Sequence, residues 1–368
     1  MTSKKVIVSV TNDLTTDGRV AKICKTLREA GLEVMLVGVR RKGSAPIYRD
    51  YTTVRFNLLF NKGPLFYANY NLRLFFFLLF NRTDILWSND LDTLLANFFI
   101  AKLKRSKLIF DSHEYFTEVP ELVERPSVKS FWKTIERLIL PRLKHVLTVS
   151  ESIASLYRKE YDVKVSVLRN VPELFESDYP IPSLVKDNNK IIVYQGAVNR
   201  GRGIEPMVSA MRFIDDAIFY IIGKGDISES IERLIKSEGV ESKVVMLGEV
   251  PYEQLHCYTK QANLGISLEQ NDGLNYKYAL PNKLFNYINQ DVPVLVSNLP
   301  EMAALVNKYE VGDINRSNDP KQLAEKVNQM LSNQSMLDKW KKNCLKAKTD
   351  LNWNKEKQVV LSILENLR

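Results

Sequence analysis

The sequence from Leu264 to Ser297 is LGISLEQNDGLNYKYALPNKLFNYINQDVPVLVS, and its pattern predicts a strand, a loop, a helix and a second strand. Leu264–Leu268 and Val294–Val296 are apolar runs of strand length. Between them, Pro281 suits the first turn of a helix, because its missing N–H would have no partner there. Such a helix start directs free N–H groups beyond the strand ends, which favours the binding of a phosphate.

Lys283 adds a full positive charge to the first turn of this helix, and Asn286 follows one turn later near the same face. The alternative is a solvated lysine, but the helix dipole disfavours a lysine at this position. We therefore prefer a phosphate-binding role for Lys283 and expect the rest of the chain to build a cleft in front of this helix.

Length and composition predict a globular protein of two domains. The chain has 368 residues, of which 45% are hydrophobic and 26% charged. Its three cysteines and three histidines show neither a disulfide framework nor metal-ligand spacing, so we expect no metal and a reducing, cytoplasmic location. The N-terminus lacks the apolar region of a signal peptide. Leu65–Phe80, which contains Arg73, is too short to span a bilayer, so no transmembrane helix is expected.

The positive charge is concentrated in the first half of the chain. Residues 1–170 contain 28 Lys and Arg against 17 Asp and Glu, a net charge of +11, whereas the remainder has 24 against 26, a net charge of −2. A basic half attracts anionic partners, although a merely solvated basic surface is equally compatible. Nucleic acid is disfavoured because the aromatic residues lie in predicted core segments and form no stacking platform.

Strands alternate with helices along most of the chain, which predicts an α/β fold with doubly wound parallel sheets. The alternation stops in the proline-containing segment 173–189. We therefore predict an N-terminal Rossmann-like domain over residues 1–172, a linker over 173–189 and a C-terminal Rossmann-like domain over 190–352. Residues 40–64 are expected to be irregular, and Gly312 and Pro320 to mark a connection. Leu72–Phe80 is apolar nearly all round, which favours burial in the core.

The order of motifs resembles glycosyltransferase family 4, the retaining enzymes of the GT-B fold. The motifs are DGRV after the first strand, SNDLDTL, FDSHE, YQGAVNRGRGIE, YIIGKGD and YALPNKLFNYINQDVPVLVS. The resemblance covers nearly the whole chain. It implies two Rossmann-like domains facing across a cleft and a last helix, residues 353–368, that crosses back to the N-terminal domain. It also implies sugar transfer from a UDP- or GDP-linked donor, without a metal or other cofactor, in surface polysaccharide or glycoconjugate synthesis.

The resemblance and the loop positions together assign candidate site residues. A leaving diphosphate needs preorganised cations, and Arg202 and Lys283 suit that role, with Arg200 as a possible stand-in. His113 follows an apolar strand and would contact the donor sugar or the acceptor; pairing with a neighbouring carboxylate is the alternative. The remaining expected donor-binding residues are Gly196, Gly223, Gly225, Tyr278, Asn282 and Asn286. The expected acceptor-side residues are Asp17, Asn89, Asp90 and Glu114.

The chain departs from the family pattern at the donor site. Two glutamates eight positions apart are usual there, and the aligned positions are Tyr278 and Asn286. Asn286 can still pair with a ribose hydroxyl, and Glu269 and Asp272 are possible compensating acids. Two other functions therefore stay open: a non-catalytic subunit that binds a nucleotide sugar, and another GT-B enzyme such as a nucleotide-sugar epimerase. A glycan or lipid-linked acceptor is expected, with peripheral contact to an anionic membrane at its inner face as a weaker hypothesis.

Overall fold

The computed structural model describes residues 3–15, 17–174, 179–184 and 189–367, apart from the side chain of Tyr252. It divides into two compact units. The first unit consists of Met1–Asn170 and Glu356–Arg368, and the second unit is Val171–Lys355. The expected linker, residues 173–189, belongs to the second unit, and its residues 175–178 and 185–188 lie outside the described part of the chain.

The first unit is a seven-stranded parallel sheet with helices between the strands. Its strands are β1 (Lys5–Asp13), β2 (Glu33–Val39), β3 (Thr52–Phe56), β4 (Ile85–Asn89), β5 (Lys107–Ser112), β6 (His145–Thr148) and β7 (Val165–Val167). Its helices are α1 (Gly18–Glu29), α2 (Gly63–Phe80), α3 (Leu91–Lys104), α4 (Pro120–Val123), α5 (Pro126–Ile139) and α6 (Glu151–Tyr161). The strand order is β3-β2-β1-β4-β5-β6-β7.

β1 is an inner strand of this sheet and pairs in parallel with β2 on one side and with β4 on the other. Every residue from Val6 to Val10 is buried, and all but Ser9 are apolar, so the strand is apolar on both faces instead of alternating. From β1 the chain continues through β2 to the edge strand β3, and from β4 it continues through β5 and β6 to the other edge strand, β7. The gap between β1 and β4 is therefore the topological switch point, where open α/β sheets bind their ligands.

The second unit repeats this design with a six-stranded parallel sheet. Its strands are β8 (Lys190–Gln195), β9 (Ala217–Ile222), β10 (Val244–Gly248), β11 (Leu264–Ser267), β12 (Val294–Ser297) and β13 (Gly312–Asn315). The helices of this unit are α7 (Ile204–Ala210), α8 (Ser228–Ser237), α9 (Tyr252–Lys260), α10 (Leu274–Lys277), α11 (Asn282–Asn289), α12 (Pro300–Tyr309), α13 (Pro320–Ser332) and α14 (Gln334–Ala347). The last helix, α15 (Trp353–Glu365), belongs to the first unit from Glu356 onward. The order β10-β9-β8-β11-β12-β13 places the switch point between β8 and β11.

Tyr287 of α11 bridges the switch point of the second sheet. Its hydroxyl accepts a hydrogen bond from the backbone N–H of Gln195 at 3.1 Å and donates one to the carbonyl of Ile266 at 3.1 Å. Its ring packs on Gly265, where an added Cβ would lie 2.5 Å from a ring atom. One side chain thus satisfies two buried backbone groups at the point where β8 and β11 part.

Two strands lie where the sequence predicted none, and both are sheet edges. Thr52–Phe56 forms β3 within the segment that was expected to be irregular, and Gly312–Asn315 forms β13 within the expected connection. Most residues of both strands are only partly buried. An edge strand has a neighbour on one side only and carries polar residues, so it lacks the long apolar run by which inner strands are recognised.

The expectation that Leu72–Phe80 is buried is only half right. One face of α2 packs into the core through Phe66, Tyr70, Leu74 and Leu78. The opposite face is exposed, and Phe80 at the end of the helix keeps 81% of its accessible surface. Within the described residues, no helix is both long and apolar enough to cross a membrane.

We expect Gly203→Ala to destabilise the second unit far more than Gly239→Ala, as measured by urea unfolding. Both glycines have positive φ, +72° and +66°, so backbone strain should lower the free energy of unfolding of each variant by about 1 kcal/mol. A Cβ on Gly203 would also lie 2.0 Å from the carbonyl oxygen of Leu268, whereas one on Gly239 would meet nothing within 4 Å. The total loss at Gly203 should therefore exceed about 3 kcal/mol. Equal losses would contradict the close backbone approach.

Candidate functional site

The second unit brings three predicted donor-side residues together beyond the ends of β8 and β11. Gly196 follows β8, Arg202 lies in the loop before α7, and Lys283 is in the first turn of α11. A Cβ on Gly196 would lie 3.7 Å from Cε of Lys283. Lys283 and Arg202 both face Glu269, with Nζ and Nη1 at 3.0 and 3.8 Å from the same Oε1 atom.

Glu269 is the centre of this cluster. Its side chain is fully buried, and its other oxygen accepts a hydrogen bond from the Ser267 hydroxyl at 2.6 Å. Burial alone would raise the pKa of this carboxyl, but Lys283, Ser267 and Arg202 together lower it below its usual value. Glu269 is therefore a carboxylate at neutral pH. The sequence pointed to it only as a possible compensating acid, although an acid next to a buried strand end is a usable signal.

Both cations of the cluster are held by aromatic rings as well as by Glu269. Lys283 is buried, with Nζ 3.9 Å from the centre of the Tyr194 ring. Burial lowers its pKa, while Glu269 acts in the opposite direction. The guanidinium of Arg202 lies 5.0 Å from the centre of the Tyr276 ring. These contacts fix the cations in advance, which is what stabilisation of a developing negative charge requires.

The start of α11 adds backbone donors next to this cluster. Pro281 precedes the helix, and no side chain caps the first-turn N–H groups. Because the positive end of the helix dipole coincides with Lys283, the position suits an anion. The structure thus places the helix start, Arg202 and Lys283 in one region of the second unit.

The glycine loop after β9 packs directly on the loop after β8. A Cβ on Gly223, where φ is +140°, would lie 1.9 Å from the carbonyl oxygen of Gly196, and one on Gly225 would lie 2.4 Å from that of Val198. Both positions therefore need glycine because two backbones touch there. The predicted role of Gly223 and Gly225 in donor binding remains a prediction, since close packing already accounts for both residues.

The other predicted donor residues differ in their accessibility. Arg200 and Asn282 are exposed, whereas Tyr278 and Asn286 are partly buried. Asn286 lines a pocket of about 130 Å³ with residues of α9 and α11, among them His256 and Asn289. Asn286 and Lys283 lie one turn apart on α11, so a ligand at the helix start could extend towards this pocket.

The first unit gathers His113, Asn89 and Asp90 beyond the ends of β4 and β5. The backbone N–H of His113 donates to Oδ1 of Asp90 at 2.8 Å, and Nδ1 lies 3.4 Å from Oδ2 of Asp90. Nε2 lies 3.1 Å from Oδ1 of Asn89 and 3.5 Å from Oδ2 of Asp111. Asn89 also donates to the carbonyl of Ser9 at 2.9 Å, which ties β4 to β1 at the switch point.

A buried ion pair lies against His113. Arg19 of α1 binds Asp111 through two nitrogens, at 2.6 and 3.2 Å, and both side chains are almost completely buried. Burial alone would raise the pKa of Asp111, but Arg19 and His113 hold it well below its usual range. Burial alone would lower the pKa of His113, but Asp90 and Asp111 raise it to about 9. His113 is therefore an imidazolium at neutral pH, with both ring nitrogens beside acceptors.

The side chains of Asp90 and Asp92 have different partners. Asp90 has a positive φ of 56° and does not cap α3, because its side chain turns to His113. Asp92 is buried, and its Oδ2 accepts from the Thr11 hydroxyl at 2.6 Å, while Oδ1 has no partner among the described residues. Burial and the nearby Asp90 raise the pKa of Asp92 to about 8. In the described part of the chain, no three His, Cys, Asp or Glu side chains group to hold a metal ion.

The last two predicted acceptor-side residues have local roles. Asp17 caps α1 by accepting from the N–H of Val20 at 3.0 Å, and it also accepts from the Asn12 amide at 3.1 Å. Glu114 is partly buried, and its carbonyl accepts from the Ser112 hydroxyl at 2.7 Å.

Two family models match the chain, one in each half. The model "Glycosyltransferase Family 4" matches residues 19–172, and "Glycosyl transferases group 1" matches residues 177–347. Among curated proteins, the O-antigen chain mannosyltransferase RfbU of Salmonella typhimurium is 25% identical over 177 residues, 47% of this chain and 47% of that protein. The match to this curated relative thus spans about half of its length.

Solved structures of the GT-B type share the fold over nearly the whole chain. A sucrose-phosphate synthase from Thermosynechococcus elongatus is similar with a TM-score of 0.83 at 16% identity, covering 99% of both chains. A glycosyltransferase from Rickettsia africae has a TM-score of 0.77 at 15% identity, covering 100% of this chain and 99% of that one. Anabaena HepE, solved in complex with UDP, has a TM-score of 0.72 at 12% identity, covering 99% and 100%.

We expect Glu269→Gln to lower the free energy of unfolding by about 3 kcal/mol, because it leaves Lys283 buried without its counter-charge. Urea unfolding measures the loss. The matched control is Glu310→Gln, which breaks an exposed pair with Lys339 and should cost less than about 1 kcal/mol. The double variant Glu269→Gln/Lys283→Met should recover part of the loss. If it recovers nothing, the two charges do not stabilise each other.

We expect the melting temperature of Asp92→Asn to exceed that of the wild type by a margin that widens from pH 5 to pH 8. The raised pKa means that the folded protein keeps a proton that the unfolded chain releases, so wild-type stability falls as the pH rises towards about 8. Asparagine cannot ionise and escapes this loss. Asp350→Asn, at an exposed position, is the control. A margin for Asp92→Asn that is the same at every pH would contradict the raised pKa.

Proposed function

We propose a reaction for this chain, which belongs to glycosyltransferase family 4 and has the GT-B fold. It transfers a sugar from a nucleoside diphosphate sugar to a glycan or lipid-linked glycan, and the anomeric configuration is retained. The second unit holds the donor, and the C-terminal edge of the first sheet holds the acceptor.

The observation that carries the proposal is the fixed pair of cations beside the start of α11. Arg202 and Lys283 converge on Glu269, which leaves one net positive charge in a site with uncapped backbone N–H groups. A diphosphate that leaves with developing negative charge would be stabilised by such a site. Because the cations and N–H groups supply this stabilisation, we propose that the reaction needs no metal ion.

The comparisons support a nucleotide-sugar donor and a role in polysaccharide synthesis. HepE has been solved with UDP and with UDP-glucose, and RfbU is a mannosyltransferase of an O-antigen chain. Uridine and guanosine diphosphates both remain candidates for the leaving group. Asn286, one turn after Lys283, would pair with a ribose hydroxyl in place of the usual glutamate.

On the acceptor side, His113 would act as a fixed positive charge that holds Asn89 and Asp90 in place. As an imidazolium it can donate hydrogen bonds but cannot accept a proton, so it is not a general base. Asp90 and Glu114 would then bind acceptor hydroxyls. The three cysteines are buried free thiols, which suits work in a reducing compartment such as the cytoplasm.

We expect UDP or GDP, at about 100 times its dissociation constant, to raise the melting temperature by about 5 °C or more, whereas ADP does not. Arg202→Ala should abolish the shift, because it removes a cation from the proposed diphosphate site. The guanidinium is only partly buried, so the variant should keep its fold. Arg212→Ala, at an exposed arginine of the same unit, is the matched control and should keep the shift. A shift that persists in both variants would reject this diphosphate site.

Turnover separates a transferase from a binding subunit. The wild type should slowly release nucleoside diphosphate from one sugar donor in the absence of an acceptor, and the released amount can be measured by chromatography. With an acceptor, proton NMR should show the anomeric configuration of the donor in the product. A protein that binds the nucleotide but turns over no donor in a panel with plausible acceptors would instead be a non-catalytic nucleotide-sugar-binding subunit.

A further inference from the structure

Two neighbouring helices of the first unit expose several large apolar side chains. On α2 they recur at helical spacing along the outer face, and on α3 two more follow the same pattern. We call these six residues the apolar ridge: Leu65, Leu72, Phe76, Phe80, Phe99 and Leu103. Each keeps between 49% and 81% of its accessible surface. α2 and α3 pack side by side through their buried faces and share one core cluster, so the exposed side chains of both helices belong to the same helical layer of the first unit.

The ridge is not required by the core. The core side of α2 is already filled by Tyr70, Leu74 and Leu78, which are completely buried. Soluble proteins rarely expose apolar side chains in continuous groups, and such groups mark surfaces that bind another molecule or a membrane. The outward side chains of α2 could be polar without loss to the fold, so their apolar character needs a separate cause.

The charges around the ridge all have one sign on these two helices. Every residue of α2 and α3 is described, and neither helix has an exposed carboxylate, because Asp92 is buried. The fully exposed charges on and beside the helices are basic: Lys62, Arg73, Arg82, Lys102 and Arg105. Arg82 lies 3.9 Å from the partly buried carboxylate of Asp84, so the charges of Arg73 and Lys102 carry most weight. Arg73 lies three residues before Phe76, and Lys102 lies three residues after Phe99, so each basic residue shares a helix face with an apolar one. Long basic side chains beside apolar ones can reach anionic headgroups while the apolar groups enter the membrane interface.

We propose that the apolar ridge docks the protein on the surface of an anionic lipid bilayer. The phenylalanines and leucines would enter the interface between headgroups and acyl chains, and the basic residues would pair with lipid phosphates. The proposal deepens the proposed function, because a lipid-linked acceptor lies at such a surface, and it assigns the membrane contact to named residues.

A second copy of the chain fits this surface less well than a membrane does. A two-fold dimer brings the same patch of both subunits together, so Arg73 and Lys102 would face their own counterparts. Like charges in an interface oppose association unless acids compensate them, and neither helix offers an exposed acid. An anionic membrane complements both the apolar and the basic part of the surface.

The test is co-sedimentation of the purified full chain with extruded vesicles. We expect binding to vesicles of phosphatidylcholine with phosphatidylglycerol, and about tenfold weaker binding to phosphatidylcholine alone. The double variant Phe76→Gln/Phe80→Gln should lose about tenfold or more in binding to the anionic vesicles, because two large apolar side chains no longer enter the interface. Arg73→Gln/Lys102→Gln should bind more weakly and depend less on salt.

The matched control is Phe213→Gln/Leu345→Gln, which removes two exposed apolar side chains from the second unit and should bind vesicles like the wild type. Circular dichroism and melting temperature establish that every variant is folded. The proposal is overturned if the wild type does not sediment with anionic vesicles or if it binds neutral vesicles equally well. It is also overturned if the ridge variant, Phe76→Gln/Phe80→Gln, binds anionic vesicles as tightly as the wild type. If the wild type is a dimer that binds no vesicles, and the ridge variant is a monomer, the proposal is also overturned. The apolar ridge would then be an interface between two copies of the chain.

Donor turnover, measured without vesicles, keeps the two proposals distinct. The ridge variant should release nucleoside diphosphate at the wild-type rate, because the ridge residues lie outside the proposed site. If no protein turns over a donor but the vesicle results hold, the proposed reaction fails and the docking surface stands. If turnover is normal and vesicle binding is absent, the docking surface fails and the proposed reaction stands.

Discussion

The structure depends on how each parallel sheet satisfies its backbone where two neighbouring strands part. At a switch point the adjacent strands lead to helices on opposite faces, so buried N–H and carbonyl groups lose their ladder partners. In the second unit the Tyr287 hydroxyl serves two such groups, and in the first unit the Asn89 amide serves one. The candidate site residues follow directly after these parted strands.

The two crevices carry different electrostatics, and each is built around a buried pair. In the second unit a buried carboxylate, Glu269, orients two cations. In the first unit a buried cation, Arg19, orients the carboxylate of Asp111, which in turn helps to keep His113 protonated. Removal of charges from water is costly, so such pairs persist only with good geometry and additional hydrogen bonds. In both units the pair fixes an arrangement of charge beyond the strand ends.

The parts of this arrangement that a sequence reveals are those with a local signature. Inner strands such as β1 are recognised because burial on both faces makes them continuous apolar runs. The loops after them are recognised because glycines and polar residues interrupt the pattern, which led to Gly196, Arg202 and His113. The edge strands β3 and β13 escaped because a half-buried strand has no such run. Glu269 and Arg19 escaped as centres of ion pairs because their partners lie far away in the chain.

The sequence by itself determined the α/β class, the two-fold repetition of the fold, the family and the loops that carry polar chemistry. All of these follow from the order and spacing of neighbouring residues. Only the tertiary structure decided that Lys283 is buried against Glu269 and Tyr194, that burial raises the pKa of Asp92, and that one face of α2 is exposed. The physical reason is that burial and charge state depend on which elements pack together. An apolar helix has the same sequence whether a face meets the core or water, and a charged side chain acquires its pKa from distant partners.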